Sequence, residues 1–302
     1  MLVVAALGGN ALLRRGEPMT IEVQRANVAR AAVALAALVR AGHDVVVTHG
    51  NGPQVGLLAL QGAAFRPEAP DPLDVLGAET EGLIGYLIEQ ELENALGHDR
   101  PVAALLTQVL VDPADPAFTY PTKPVGPVYS EAEAKALAAQ RGWSVAPDGA
   151  FWRRVVPSPK PVEIPDLRVI QLLLSQGVVV ICAGGGGIPV VRRGDGSVIG
   201  VEAVIDKDHA SALLAHGLGA DALLMLTDVE GVMEGFDTPA VRRIPRLSAA
   251  QAGQLALPEG SMGPKVAAGL SFVAKGGQLA GIGRMEDATA ILNGVAGTVI
   301  SA

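Results

Sequence analysis

Apolar residues along this 302-residue chain fall into two alternating rhythms. Short, nearly unbroken runs such as LVVAAL (2–7), DVVVTH (44–49), VVVICA (178–183) and DALLMLTDV (221–229) have the length of buried strands. Between them apolar positions recur every three to four residues, the spacing of one helical face. This predicts helices over 20–41, 79–96, 167–177, 207–218, 263–275 and 286–293. Further strands are expected at VAALLTQVLV (102–111), VIGVEAVI (198–205), QLAGIG (278–283) and GTVIS (297–301), and GDGS (194–197) reads as a hairpin turn. Strand–helix alternation of this kind defines an α/β protein with a mainly parallel sheet covered on both faces.

Residues 112–165 break the rhythm. They hold DPADPAFTYPTKPVGP and VVPSPKPVEIP, and each proline removes a donor and disfavours helix before it. EAEAKALAAQR (131–141) nevertheless has a helical pattern, so the segment is expected to be a small inserted subdomain rather than a long solvated loop.

Composition narrows the function classes. Hydrophobic residues make up 49%, as in globular chains, and the longest apolar run, AAVALAALV (31–39), is far short of a membrane span. The N-terminal MLVVAALGGN lacks a basic flank and a cleavage site, so no signal peptide is expected. Cys182 is the single cysteine, which excludes an internal disulfide and suits a reducing cytoplasm. Lys plus Arg number 23 against 31 Asp plus Glu, and with no basic block nucleic acid is not an expected partner. An anionic substrate would need a few cations gathered at one place.

Glycine marks where that place would be. Four loops are rich in it: GGN (8–10), HGNGPQVG (49–56), AGGGGIP (183–189) and GSMGPK (260–265), the first three directly after strand patterns. In an open α/β sheet, ligands collect beyond the carboxyl ends of the strands. Glycine lets backbone N–H groups approach such a ligand, and rows of N–H groups hold phosphate-like anions. The plainer reading, tight corners between strand and helix, fits any one loop but fits four less well. Neither G-x-x-x-x-G-K-[ST] nor G-x-G-x-x-G is present, so the fingerprints of P-loop NTPases and dinucleotide oxidoreductases are missing.

Six lysines are available, and Lys123, Lys207 and Lys265 lie in glycine- or proline-framed settings. Lys135 sits on a polar helix and Lys275 near a helix C-terminus, both ordinary surface positions. Lys207 stands between Asp206 and Asp208 at the start of a helix whose buried face is Ala210, Leu213, Leu214 and Leu218. Asp206 or Asp208 would cap that helix, but a cation in its first turn opposes the dipole and costs up to about 1 kcal/mol. Its charge makes sense if an anion sits before the helix end, with Asp208 as a shared counter-ion for two lysines. His49 either touches substrate or makes a structural hydrogen bond, and the latter is the simpler reading. No His or Cys spacing suits zinc, no protein ligands for a metal are assigned, and Mg²⁺ would arrive on nucleotide phosphates. G-x-S-x-G is missing, which leaves serine hydrolase chemistry unsupported.

These segments together carry a family resemblance. ALGGNALL (6–13), THGNGPQVGLL (48–58), LTQVLVDPADPAF (106–118), PTKPVGP (121–127), WRRVVPSPKP (152–161), CAGGGGIPVV (182–191), GVEAVIDKDHAS (200–211), ADALLMLTDVEGV (220–232) and GSMGPK (260–265) resemble the carbamate kinases of the amino acid kinase superfamily, essentially end to end. Other branches of that superfamily usually carry a lysine before the first glycine pair, where this chain has Ala6, Leu7 and Gly8. The resemblance implies a three-layer αβα sandwich on an open sheet with a protruding subdomain near 112–165. It implies an acyl-phosphate lobe over 1–219, a nucleotide lobe over 220–302, and a homodimer. It further implies phosphoryl transfer from ATP to carbamate with Mg²⁺, reversible and often run toward ATP. Lys123, Lys207 and Lys265 would then neutralise the phosphoryl group and Asp208 would organise the lysines. Gly8, Gly9, Asn10, Gly50, Asn51, Gly52, Gly185 and Gly186 would hold carbamate and phosphate, and Thr227, Asp228, Met262 and Lys265 would border the nucleotide. Two positions depart from the family pattern: Val232 and Met233 replace a common aromatic, and Gly263 replaces a bulkier residue. A kinase of another small acid, or a non-catalytic nucleotide-binding protein on the same fold, are the competing readings.

Overall fold

Strand Leu2–Leu7 (β1) is buried on both faces, with Val3 through Leu7 fully shielded from solvent. A strand without an exposed face must sit inside a sheet that is itself covered twice. The computed structural model describes the chain apart from residues 15, 67, 236–239, 256, 258–261 and 302 and the side chains of residues 10, 11 and 127. Among the described residues β1 is joined by Asp44–His49 (β2), Val102–Ala104 (β3), Val179–Ile181 (β4), Ala222–Thr227 (β5), Leu279–Arg284 (β6) and Thr298–Ile300 (β7). Their order across the sheet is β7-β6-β5-β1-β2-β4-β3. Every pairing is parallel except β6 with β7.

Alternate side chains go to opposite faces. Val3, Ala5 and Leu7 join a core with helices Ile21–Arg40 and Leu73–Leu96. Val4 and Ala6 join the opposite core with helices Leu167–Ser175, Lys207–Leu218 and Met262–Ala274. The result is the three-layer αβα sandwich, its sheet mainly parallel. The strand order reverses at β1: the chain builds β2, β3 and β4 on one side and returns for β5 on the other. The carboxyl ends of β1, β2, β4 and β5 therefore meet around one crevice.

Residues 123–156 form a unit of their own. Lys123–Tyr129, Phe151–Val156 and Ser144–Asp148 make a three-stranded antiparallel sheet with Phe151–Val156 in the middle. Helix Glu131–Arg141 lies on it, opened by a Ser130/Glu133 capping box and closed by Gly142 at φ +67°. The proline-rich segment is thus structured, and one of its contacts with the core is especially close. A Cβ on Gly56 would come within 2.9 Å of Gly126 Cα, so helix Gly52–Phe65 and the subdomain strand meet backbone to backbone.

Several sequence expectations need correction. VAALLTQVLV is not one strand: β3 ends at Ala104, and Gln108–Val111 restarts in a second, four-stranded sheet. The break is fixed by Thr107, whose N–H donates to a buried carboxylate of another helix. VIGVEAVI forms a strand only over Val198–Gly200, because Ala203 N–H folds back onto the Val201 carbonyl. The lysine at 207 therefore follows a loop. The helix expected from 79 begins at Leu73 behind Pro72. The helix expected over 286–293 divides into the 3₁₀ turn Met285–Asp287 and helix Ala288–Leu292. The HGNGPQVG stretch, read as a loop, opens the 14-residue helix Gly52–Phe65 with Pro53 in its first turn. The GDGS hairpin forms between Ile188–Arg192 and Val198–Gly200, with Gly196 at φ +85°. No helix among the described residues is long and apolar enough to cross a membrane.

Candidate active site

Three glycine loops interlock at the crevice. Gly8 N–H donates to the Leu226 carbonyl at 2.7 Å and Gly50 N–H to Leu7 at 3.0 Å, which ties the ends of β5, β1 and β2 together. A Cβ on Gly50 would lie 3.0 Å from Gly9 N, so a larger residue there would push the first two loops apart. Gly185, at φ +66°, packs on the Asn51 amide, where a Cβ would lie 2.1 Å from Nδ2. Asn51 is itself held by its Nδ2–H bond to Thr80 Oγ1 at 2.9 Å. Among the described residues no acceptor takes the N–H groups of Gly9, Gly52 or Gly185. All three border one cleft of about 290 Å³. Unpaired N–H groups converging on a cleft are an anion cradle.

The lysines reach the same cleft from three directions. Asp206 caps helix Lys207–Leu218, its Oδ1 accepting from Asp208 N–H at 2.9 Å and His209 N–H at 3.4 Å. Its other oxygen accepts from Lys123 Nζ of the subdomain at 2.8 Å. Asp208, on the first turn, takes Lys207 Nζ on Oδ1 and Lys265 Nζ on Oδ2, the latter at 2.9 Å. Two nearly buried ammonium groups thus share one nearly buried carboxylate. Burial lowers the Lys207 pKa and the Lys265 charge lowers it further, against the pull of Asp208. Burial would raise the Asp208 pKa, but Lys207 and Lys265 outweigh it and hold the group below its usual range. Asp206 is likewise held well below the carboxylate range: burial opposes this, and Lys123 then Lys207 prevail. The cluster of Lys123, Lys207, Lys265, Asp206 and Asp208 carries three cations against two anions, so an incoming anion meets net positive charge.

Not every expected residue faces the cleft. Gly186, at φ +98°, gives its N–H to Ala183 and backs onto the Ile205 carbonyl, where a Cβ would sit at 2.4 Å. Gly8 likewise spends its N–H on the framework, and so does Gly50, although Gly50 lines the cleft. Thr227 ends β5 beside Gly8, and its hydroxyl donates to Asp228 Oδ1 at 3.1 Å. Met262 begins the helix that carries Lys265 and packs on the adjoining core. The Asn10 side chain, Gly260 and Ser261 lie outside the described residues. No group of three or more His, Cys, Asp or Glu among the described residues is placed to hold a metal, and both cleft aspartates are committed to lysines.

Two buried titratable groups lie behind the third loop. His49 ends β2 rather than lying in a loop, donates from Nδ1 toward the Gly50 carbonyl at 3.1 Å, and among the described residues finds no partner for Nε2. Burial, with the Lys207 charge, pushes its pKa down to about 4 against the Gly50 hydrogen bond. Glu81 of helix Leu73–Leu96 was not singled out by the sequence, although it stands on the same stripe as Ile84 and Ile88. Burial pushes its pKa up to about 8 in spite of two backbone hydrogen bonds.

Both shifts act on stability. Glu81 stays protonated in the fold up to about pH 8 but ionises near 4.5 when unfolded, so its contribution is complete below 4.5 and lost as pH rises through 8. His49 stays neutral in the fold down to about pH 4 but is protonated below 6.5 when unfolded, so its contribution is lost as pH falls through 4. The two slopes oppose each other between pH 4.5 and 6.5, and from 6.5 to 8 Glu81 alone remains. Stability is expected to fall there by on the order of 2 kcal/mol. Thermal melts across this window check it, with Glu81→Gln flattening the slope.

Comparison with known proteins fits this geometry. The sequence profile of the amino acid kinase family matches residues 1–282, and the chain belongs to that family. Within it, the chain is 56% identical to the carbamate kinase of Rhizobium meliloti (strain 1021), over 100% of this chain and 93% of that protein. It is 49% identical to the carbamate kinase of Escherichia coli (strain K12), over 99% of both. The solved carbamate kinase of Giardia lamblia bound to AMP-PNP superposes with a TM-score of 0.90 at 42% identity, covering 99% of this chain and 98% of that one.

Proposed function

We propose that this chain is a carbamate kinase, moving a phosphoryl group reversibly between ATP and carbamate, with ADP and carbamoyl phosphate on the other side. The observation that carries the reading is one cleft lined by Lys123, Lys207 and Lys265 together with Gly9, Gly52 and Gly185, whose N–H groups no described residue accepts. Phosphoryl transfer asks little covalent chemistry of a protein. It asks for in-line placement and for positive charge on the transferring group and the leaving oxygen. In this reading the glycine loops and Asn51 seat the acyl phosphate, Lys207 and Lys265 draw charge off the phosphoryl oxygens, and Lys123 closes from the subdomain. Asp208 keeps its two lysines charged and in place without itself touching substrate.

The nucleotide belongs on the 220–302 side, beside Thr227, Asp228 and Met262, and the acyl phosphate on the 1–219 side. The crevice at β1 and β5 lies between these two halves. Mg²⁺ comes in on the nucleotide phosphates and neutralises their charge. A homodimer belongs to the proposal, and Leu83, Tyr86 and Leu106 are exposed apolar residues available to cover. A cytoplasmic setting suits the single, buried Cys182 thiol. The test is ATP formation from ADP with carbamoyl phosphate, beside acetyl phosphate and acetylglutamyl phosphate. Carbamoyl phosphate is expected to be preferred by at least tenfold in kcat/KM. Equal rates would point instead to a broad acyl-phosphate kinase, and no ATP from any donor to a non-catalytic protein.

A further inference from the structure

The third glycine loop is held in a conformation it would not choose. Ala183 lies at φ +49°, and Gly185, Gly186 and Gly187 follow at +66°, +98° and +87°. A non-glycine residue in the left-handed region costs on the order of 1 kcal/mol or more and persists only where its surroundings impose it. The loop's own hydrogen bonds, Gly186 N–H to Ala183 and Gly187 N–H to Gly184, are short-range and close a single turn. Something outside must hold it.

Glu81 is placed to do so. Its Oε1 accepts from Gly184 N–H at 2.7 Å and its Oε2 from Thr107 N–H at 3.0 Å. Thr107 Oγ1 in turn accepts from Ala183 N–H at 2.9 Å, so Gly184 is pinned by Glu81 directly and Ala183 through Thr107. The fit is tight: a Cβ on Gly184 would lie 2.3 Å from His49 Nε2 and 2.9 Å from Glu81 Cγ. The pinned turn is what presses Gly185 on Asn51 and leaves its N–H at the cleft.

We propose that Glu81 is a positioning residue for acyl-phosphate binding, its carboxyl group bridging Gly184 and Thr107 so that the 183–187 turn presents the Gly185 N–H to the substrate. This rests on the carbamate kinase reading of the cleft. The groups around the carboxyl explain its chemistry. His49 on β2 is buried and neutral at physiological pH, and burial also raises the pKa of the Cys182 thiol beyond β4. Asp166, before helix Leu167–Ser175, is the charged neighbour, and it is acidic. Glu81 is thus favoured in its uncharged form at neutral pH. A neutral acid pins the turn without placing negative charge behind an anion site. On ionisation, that charge would oppose the phosphate through the turn it holds.

Glu81→Gln keeps the volume but offers an N–H₂ to one of two backbone donors. Expected for this variant are a KM for carbamoyl phosphate raised at least fivefold at pH 7, and kcat and the KM for ADP within about threefold of the parent. The parent's KM for carbamoyl phosphate is expected to rise above about pH 8, and the variant's to stay flat there. Hydrogen exchange at the Gly186 and Gly187 amides is expected to quicken at least tenfold in the variant, with the central sheet unchanged. Exchange reads the turn without any assay. If the parent makes no ATP but exchange quickens, the functional reading fails and the clamp stands. If the parent is active and the variant matches it in KM, pH dependence and exchange, the inference is wrong. A loss of kcat and both KM values together, with faster exchange throughout the sheet, would make Glu81 merely structural and would also overturn it.

Discussion

Asp208→Asn is expected to lower turnover at least a hundredfold and to destabilise the fold, the largest combined effect of any single change in the cleft. Asp208 is 3% exposed, and its two oxygens separately hold Lys207 and Lys265. Asparagine keeps the shape but offers one acceptor and no charge. Two nearly buried ammonium groups would then repel each other without a shared counter-ion. Removing one partner of a buried ion pair costs about 3–5 kcal/mol, and here two cations are orphaned by one change. The lysines can respond only by turning to solvent or shedding a proton, and burial already lowers the Lys207 pKa. Either response takes positive charge off the transferring phosphoryl group, where a single preorganised donor is worth about 10²–10³ in turnover. Lys207→Ala and Lys265→Ala each remove one cation and leave the other paired, so each is expected to cost more than tenfold with little change in the KM for ADP. Turnover by coupled ATP formation and a thermal melt check this series. An Asp208→Asn enzyme milder than either lysine variant would refute Asp208 as the organiser of the pair.

Much of this cluster was legible before the fold, for electrostatic reasons. Lys207 stood out as a cation at the positive end of a helix dipole with Asp208 as a counter-ion shared by two lysines, and in the structure Asp208 holds Lys207 and Lys265. Asp206 and Asp208 could each have capped that helix, and only the backbone decides for Asp206. The ion pair of Lys123 with Asp206 spans 83 positions and depends on the subdomain folding back over the core, which no local pattern encodes. Glu81 was hidden in plain view. It occupies the buried stripe of helix Leu73–Leu96, and a charged residue there was a signal that the apolar positions around it obscured. Helix Gly52–Phe65 was missed because Gly52, Pro53 and Gly56 read as loop chemistry. Its glycine at 56 is there instead for contact with Gly126. Strand runs failed where tertiary hydrogen bonds interrupted them, as at Thr107. Hydrophobic period thus located the layers, and long-range polar contacts set the details at the sheet's carboxyl edge.

One of those details has a large expected effect although the residue faces away from the cleft. Gly186→Ala is expected to destabilise the protein by about 2–5 kcal/mol and to lower turnover at least tenfold. Gly186 lies at φ +98°, where an L side chain adds roughly 1–2 kcal/mol of strain. Its Cβ would also meet the Ile205 carbonyl oxygen at 2.4 Å and the carbonyl carbon at 2.8 Å. Backbone cannot swing aside as a side-chain tip can, and overpacking of this kind adds about 1–3 kcal/mol. The only relief is to push Ile205 outward, and the next residues are Asp206 and Lys207. Such a shift moves the cap that holds Lys123 and the helix turn that holds Lys207 and Asp208 together. Gly276 supplies the control, since it lies at φ +100° and a Cβ there would meet nothing within 4 Å. Gly276→Ala therefore carries a similar positive-φ penalty without the clash, and is expected to cost about 1 kcal/mol with turnover unchanged. Melting temperature and coupled turnover of the two variants separate strain from displacement. Equal losses in both would mean that the contact between Gly186 and Ile205 does not position the lysine helix.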